Sequence, residues 1–285
     1  MLPVPYANLH LHSNCSDATF RPMHLPRIAK GMGYGAVALT DHETLSGQAE
    51  FLAEAKDCGL EAITGIEIFA RLDGIDRPIH LTGLDFDPTH PAITGFVEKL
   101  VRVRNENTRK KFEIALEKGI FKGITWDDVI RFNPQTDWYY VTQVYLALDA
   151  MGIIPLSRRY ETNDLAFSSP EANAVELHLF PMEEVIGAIR AAGGVAVLAH
   201  PAESIFPRVR EMVDMGLNGI EVNHPSVTEK AAKLAFHAAI EYGLYCSGGT
   251  DHTGALSSLP GRYTEPAFNG ISKTDFEILR ERRLG

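Results

Sequence analysis

Two histidines, His10 and His12, stand one residue apart at the end of a short apolar run, and Asp17 follows five residues later. On an extended strand, residues i and i+2 project to the same side. One strand end can therefore present both imidazoles to one metal ion. Histidine is the commonest metal-binding side chain near neutral pH, and Asp17 adds a hard oxygen donor from the following loop. A His-x-His pair alone also occurs on exposed strands. What carries the reading is that the same chemistry recurs along the chain.

Thr40 leads into Asp41-His42, Gly65-Ile66 into Glu67, Ala199 into His200-Pro201, Val222 into Asn223-His224-Pro225, and Gly248-Gly249-Thr250 into Asp251-His252. Each group follows a candidate strand. In a barrel of parallel strands the carboxyl ends share one face, and that face carries the chemistry. His80 comes early in its run and joins that face if its strand runs antiparallel after a hairpin turned at Asp73-Gly74. The candidate ligands are His10, His12, Asp17, His42, Glu67, His80, His200 and Asp251, too many for one ion. Two to three divalent ions would share them, with Glu67 able to bridge through its two oxygens. Imidazole and carboxylate without thiolate suit Mn, Fe or Zn at a hydrolytic centre.

The elements that must position these residues follow from hydrophobic periodicity. Strand-like runs fall at 6–11, 36–40, 61–68, 79–84, 195–199, 219–222 and 244–247. Helix-length segments at 22–32, 45–58, 92–118, 182–192, 203–215 and 227–242 lie between most of them. This alternation predicts an α/β fold with a largely parallel sheet, open or closed into a barrel. Residues 119–181 break it. They hold two expected helices, 126–132 and 138–151, and a loop rich in Ser, Asn and Pro. Together these read as a small helical insertion that covers a site. The expected organisation is a main domain from 1–118 and 182–285, with a lid or substrate domain at 119–181.

Composition narrows the function. The chain has 285 residues, of which 45% are hydrophobic, enough for one large core. The formal charge of −10 argues against a general nucleic-acid binder, while bound divalent ions still allow a small anionic substrate. No apolar run is long enough to cross a bilayer, and a secretory leader is not expected. The widely spaced Cys15, Cys58 and Cys246 point to reduced thiols and a cytoplasmic location. Cys15 has no adjoining base and reads as a buried spectator.

The segments Asn8-Leu9-His10-Leu11-His12-Ser13, Thr40-Asp41-His42, Gly65-Ile66-Glu67, His80, Leu198-Ala199-His200-Pro201, Glu221-Val222-Asn223-His224-Pro225 and Gly249-Thr250-Asp251 resemble the PHP (polymerase and histidinol phosphatase) family of metal-dependent phosphoesterases. The resemblance covers nearly the whole chain outside the insertion. It implies a distorted (β/α)7 barrel with two or three divalent ions. One ion would be held by His10, His12, Glu67 and Asp251, and a second by Glu67, His80 and His200. A third would use Asp17, His42 and a histidine two positions after Asp251. Here that position is Thr253, with His252 displaced by one, so the first two sites are the expected occupied pair. The architecture also resembles stand-alone members with a helical insertion, which act on nucleotide bisphosphates and cyclic sugar phosphates. Many of those carry an Arg-Pro-His-like element where this chain has Asp137-Trp138-Tyr139-Tyr140, which suggests a different ligand.

The function implied is hydrolysis of a small phosphomonoester or cyclic phosphodiester by a metal-activated hydroxide. The alternatives are a 3′-5′ exonuclease or oligoribonuclease on short nucleic acid and a non-catalytic metal-binding module; long nucleic acid and membranes are not expected partners. His224 and His252 are candidates for the general acid. Arg104, Arg109 and Arg158 are candidates for holding phosphate, because the guanidinium fork matches phosphate oxygens. Arg104 stands out, since it falls in phase with the apolar stripe of Val97, Leu100, Thr108 and Phe112. Trp138, Tyr139, Tyr140 and Tyr145 could stack on a base or sugar, or form a core. His24, His90, His178 and His237 read as surface or capping residues.

Overall fold

A computed structural model describes residues 5–256 and 269–282. The small sheet holds parallel strands β1 (Ala7–Asn8), β2 (Ala36–Ala38) and β3 (Glu61–Ile63), in that order. The large sheet has β4 (Gly65–Arg71), β5 (Ile79–Leu84), β6 (Phe180–Pro181), β7 (Val195–Leu198), β8 (Gly219–Asn223) and β9 (Tyr245–Gly248) in the order β6-β4-β5-β7-β8-β9. Only β5 runs against its neighbours. His80, at the start of this reversed strand, therefore lies on the same side as residues at the ends of the others.

The expected single strand at 61–68 is two strands in two sheets. The switch is at Thr64, whose Oγ1 donates to the Phe86 carbonyl (2.6 Å) and accepts from the Phe86 N–H (2.9 Å). The next residue must be glycine, because a methyl group at Gly65 would run into the Leu39 carbonyl. Backbone bonds tie the two sheets together at the strand ends. Leu9 N–H donates to the Gly248 carbonyl (3.0 Å) and Asp251 N–H to that of His10 (2.9 Å). On the other side Glu43 N–H donates to Glu67 (2.8 Å) and Glu67 N–H to Asp41 (3.1 Å).

Helices α1 (His24–Gly31) and α2 (Gln48–Asp57) cover the small sheet, where Leu25, Val37, Leu39 and Phe51 form one apolar cluster. The main core packs Ile66, Ile68, Leu81, Leu84, Val195 and Val197 against α3 (Pro91–Glu117) and against Val185, Ile186 and Ile189 of a helix at Met182–Ala191. All four residues of β7 are buried, as expected of a strand covered on both faces. His90 caps α3, its ring nitrogen accepting from Ala92 N–H, and Pro91 opens the first turn. The expected helix at 203–215 is a 3-10 turn (Glu203–Arg208) followed by a short α-helix (Val209–Asp214), broken at Pro207, which has no N–H to donate.

The 27 residues of α3 span roughly 40 Å. Its first half packs on the main core through Ile93, Phe96 and Leu100. Its second half packs on a separate apolar cluster through Phe112 and Ala115, with Phe121, Val129, Val144, Leu148 and Phe167. That cluster lies within α4 (Trp126–Phe132), α5 (Val141–Ala150) and a series of single helical turns ending at Pro170–Asn173. A reciprocal capping box between Thr125 and Asp128 starts α4. The expected second helix starts three residues late, at Val141. Residues 136–140 are extended instead, because Asn105 takes both the Tyr139 N–H (2.7 Å) and the Asp137 carbonyl (2.8 Å). No helix among the described residues is long and apolar enough to cross a membrane.

Candidate metal centre

Every predicted ligand converges at the ends of the strands. The His-x-His segment is set by its surroundings. Asn8 bonds Thr250 through both ends of its amide (2.9 and 3.1 Å), and a side chain at Gly249 would collide with the His10 backbone. The following loop wraps the buried Asp41 carboxylate, which accepts from Ser13 N–H (2.6 Å), Ser13 Oγ (2.5 Å) and Ser16 Oγ (2.6 Å).

Glu67 sits at the hub. Its Oε1 lies 2.9 Å from His80 Nδ1 and 3.1 Å from His200 Nε2. Its Oε2 lies 3.1 Å from His10 Nε2, 3.2 Å from His12 Nε2 and 3.4 Å from His42 Nδ1. His12 Nε2 is also 3.2 Å from Asp251 Oδ1, and its Nδ1 is 3.5 Å from Asp17. Donor atoms within 4.8 Å of one another form four groups: His10, His12, Glu67; His10, His224, Asp251; His12, Asp17, His42; and Glu67, His80, His200. His12 Nδ1 and Nε2, His42 Nδ1 and His224 Nε2 are buried without a hydrogen-bond partner. Buried polar atoms normally have partners. Four orphaned ring nitrogens facing carboxylates are the donor set that divalent cations require, so these residues fit the ions.

Electrostatics agrees. Burial alone would lower the His10 pKa, but Glu221 and Glu67 overcome it and hold it up to about 10. His12 is raised as well, its burial outweighed by Asp17, Asp251 and Glu67. His42 goes the other way, to about 3, because burial dominates and His12 and His80 add repulsion. Burial would raise Glu67 and Asp251, yet the surrounding histidines hold both well below the usual range. The backbone is strained at the same place: His200 (φ 30°), Asp251 (φ 48°) and Glu43 (φ 53°) occupy the left-handed region, at a cost of roughly 1–3 kcal/mol each.

Other expected roles change. His224 is 3% exposed, its Nδ1 accepts from Ser226 N–H, and its Nε2 lies 3.5 Å from Asp251 Oδ2. It does not line the cleft, so it is placed to join or brace the ligand set rather than to meet a leaving group. His252 turns away, its ring edge-on to Phe20 (5.5 Å) and its Nδ1 accepting from Gly254 N–H. Thr253 lines the cleft where the third-site histidine was looked for, and His12 completes the group with Asp17 and His42 instead.

The three arginines are engaged elsewhere. Arg104 is buried and grips Glu43 with two bonds (2.9 and 3.0 Å). Arg109 and Arg158 are solvent-facing and pair with Glu113 and Glu161 one turn along. Trp138 is fully buried and donates to Glu43 (3.1 Å), while Tyr145 donates to Asn163 (2.9 Å) in the helical cluster, so neither offers a free face to a base. Cys15 is buried, its thiol donating to the Gln135 carbonyl, and burial together with the nearby Asp41 carboxylate pushes the thiol up to about 12, which fits a spectator.

Glu221 was missed. It accepts from His10 Nδ1 (2.8 Å) and from His200 N–H (2.6 Å), and is held down to about 2 by His10, His224 and His200 against the effect of burial. It fixes the His10 ring so that Nε2 points at Glu67. The signal was an acid inside an otherwise apolar strand run, which needs a partner when buried. Such outer carboxylates are worth about 10- to 100-fold in metal affinity. E221Q should weaken metal binding by that factor in a chelator competition, and an unchanged affinity would remove Glu221 from the site.

A fold of mixed α/β sheets with a histidine–carboxylate cluster at its strand ends defines a class of metal-dependent hydrolases. The PHP domain matches residues 8–121, and the chain belongs to that family. It is 30% identical to a 3′,5′-nucleoside bisphosphate phosphatase of Chromobacterium violaceum, over 86% of each chain. It is 28% identical to a 5′-3′ exoribonuclease of Haemophilus influenzae, over 86% of this chain and 88% of that one. A solved structure from Bifidobacterium adolescentis superposes with a TM-score of 0.81 over 98% of this chain and 97% of the other, at 24% identity, and shares the fold.

Proposed function

We propose that this protein is a phosphoric ester hydrolase that uses two to three divalent ions, of the Mn, Fe or Zn type, on a small phosphomonoester or cyclic phosphodiester. The observation that carries this reading is Glu67, whose two oxygens each face a separate set of histidines. His10, His12, Glu67 and Asp251 would hold one ion and Glu67, His80 and His200 a second. A third would face Asp17 and His42. When bound, such ions polarise phosphoryl oxygens and acidify water. The chain supplies the rest. Glu221 keeps the proton of His10 on Nδ1, and the Asn8–Thr250 pair holds the strand end. A cleft of about 300 Å³, lined by Asp17, His42, His80, His200, Ser226 and Thr253, receives the phosphoryl group.

We take the two sheets to form the wall of a distorted seven-stranded barrel, with 119–181 as the substrate-side insertion. That insertion is a fixed wall rather than a hinged lid. Thr136 bonds Cys15 (2.6 Å), Gln135 bonds Asn14 (2.9 Å), Gln143 bonds Ser16, and Thr44 bonds Asp137 (2.7 Å). The exoribonuclease relative favours a second reading, a short RNA substrate, and reopens nucleic acid as a partner, with a polarity opposite to the one expected.

The test is phosphate release by Mn-reconstituted protein, beside H10A, from sugar phosphates, nucleotide bisphosphates, cyclic phosphates and a short oligoribonucleotide. Release from a small ester, lost in H10A, is the expected result. Turnover of the oligonucleotide alone would select the second reading, and silence from metal-loaded protein would leave a binding module.

A further inference from the structure

With Arg104, Arg109 and Arg158 engaged by Glu43, Glu113 and Glu161, an anionic substrate must find its cation elsewhere. Next to the metal cleft lies a second cavity of about 250 Å³, lined by Arg77, Pro78, Leu198, Pro201 and Ile205 and sharing His80 and His200 with the cleft. At about 30 Å³ per water this is room for roughly eight waters, enough for a phosphate and part of what bears it. Arg77 is exposed and makes no hydrogen bond or ion pair among the described residues. No other lysine or arginine among the described residues lines either cavity.

The turn that carries Arg77 is braced. Arg71 pairs with Asp73, Arg208 donates to the Asp73 carbonyl (3.1 Å), and Ile75 N–H closes on Leu72 (3.0 Å). Pro78 further restricts the backbone of the residue before it. Of the nearby acids, Asp73 is taken by Arg71 and Glu203 by Lys230 (2.7 Å), while the exposed Asp76 precedes Arg77 without bonding it and does not line the cavity. An unpaired guanidinium beside a cavity that opens onto two candidate ligands is an anion receptor.

We propose that Arg77 is a substrate-positioning residue that receives an anionic group other than the phosphoryl being hydrolysed, so that the preferred substrates carry two anionic groups. This rests on the phosphoester-hydrolase reading above. The cleft takes the reacting phosphoryl, and the adjoining cavity takes the second phosphate or carboxylate on the His80–His200 side.

The test measures kcat and KM of Mn-reconstituted wild type, R77A and R77K on a nucleoside 3′,5′-bisphosphate and a sugar bisphosphate, each beside its matching monophosphates. A charge-assisted bidentate contact corresponds to roughly 10- to 100-fold in binding. R77A should raise KM for the two-anion substrate by that factor with little change in kcat. Its loss should be at least about tenfold larger than for the one-anion partner, with R77K in between. An R77A variant that loses equally on both members of a pair, or on neither, overturns the role of Arg77 and leaves the hydrolase reading standing. Wild type that releases phosphate from none of these overturns both.

Discussion

Glu67→Gln is expected to abolish turnover and to empty the centre of metal. The substitution keeps the shape of the side chain and removes its charge and one acceptor. In the wild type, Oε1 faces His80 and His200, and Oε2 faces His10, His12 and His42. An amide cannot serve both sides: whichever way it turns, an NH2 faces ring nitrogens that should be meeting a cation. Outer carboxylates such as Glu221 are worth about 10- to 100-fold in metal affinity. A ligand shared between two ions should exceed that, so turnover should fall by roughly 10³-fold or more, because the ions supply most of the charge stabilisation. Elemental analysis and a phosphate-release assay read both effects. An E67Q protein that keeps two ions and stays within about tenfold of wild-type turnover would refute the bridging role.

The second large effect concerns stability. Arg104→Met should cost about 3–5 kcal/mol, the penalty of breaking a buried ion pair by removing one partner. Arg104 and Glu43 are 3% and 2% exposed. Without the guanidinium, the Glu43 carboxylate keeps only the Trp138 indole N–H as a side-chain donor. The double variant E43Q/R104M removes the stranded charge and should recover part of the loss, so the two substitutions should be strongly non-additive. Urea unfolding of wild type, both single variants and the double variant gives the cycle. Additive losses, or an R104M protein within about 1 kcal/mol of wild type, would show that the pair is not the brace described. The guanidinium also lies over Phe69 (4.7 Å) and Tyr140 (5.1 Å), and Phe69 stacks on His42 (4.6 Å). R104M should therefore loosen His42 as well as the fold.

The candidate ligands could be picked out because their signal is local: a histidine or acid placed directly after a run of strand-forming residues. The alternation of strand and helix was legible for the same reason. What escaped depends on contacts between distant segments. The break at Thr64 exists because of Phe86, and β6 is two residues long, too short to show a period. Arg104 stood out as a charge within an apolar stripe, but the phosphate role expected for it gives way to a buried ion pair with Glu43. That partner did not stand out, because nothing near Glu43 in the chain marks it as the acid that α3 brings across. Glu221 carried its own signal, a charge among buried apolar neighbours, but its role needed the position of His10.

The candidate ligands run from His10 to Asp251 and come from both sheets, and the His10 carbonyl is itself held by the Asp251 N–H. The full candidate ligand set is therefore assembled only when the last strand has docked. A nascent chain displays His10-Leu11-His12 early, but that pair alone would follow the raw affinity order, in which copper outcompetes manganese, iron and zinc. Asp17 adds one oxygen donor soon after, but Glu67 and Asp251, the carboxylates that face several histidines at once, arrive only with the later strands. On the proposed function, the choice among ions is thus completed only in the finished fold.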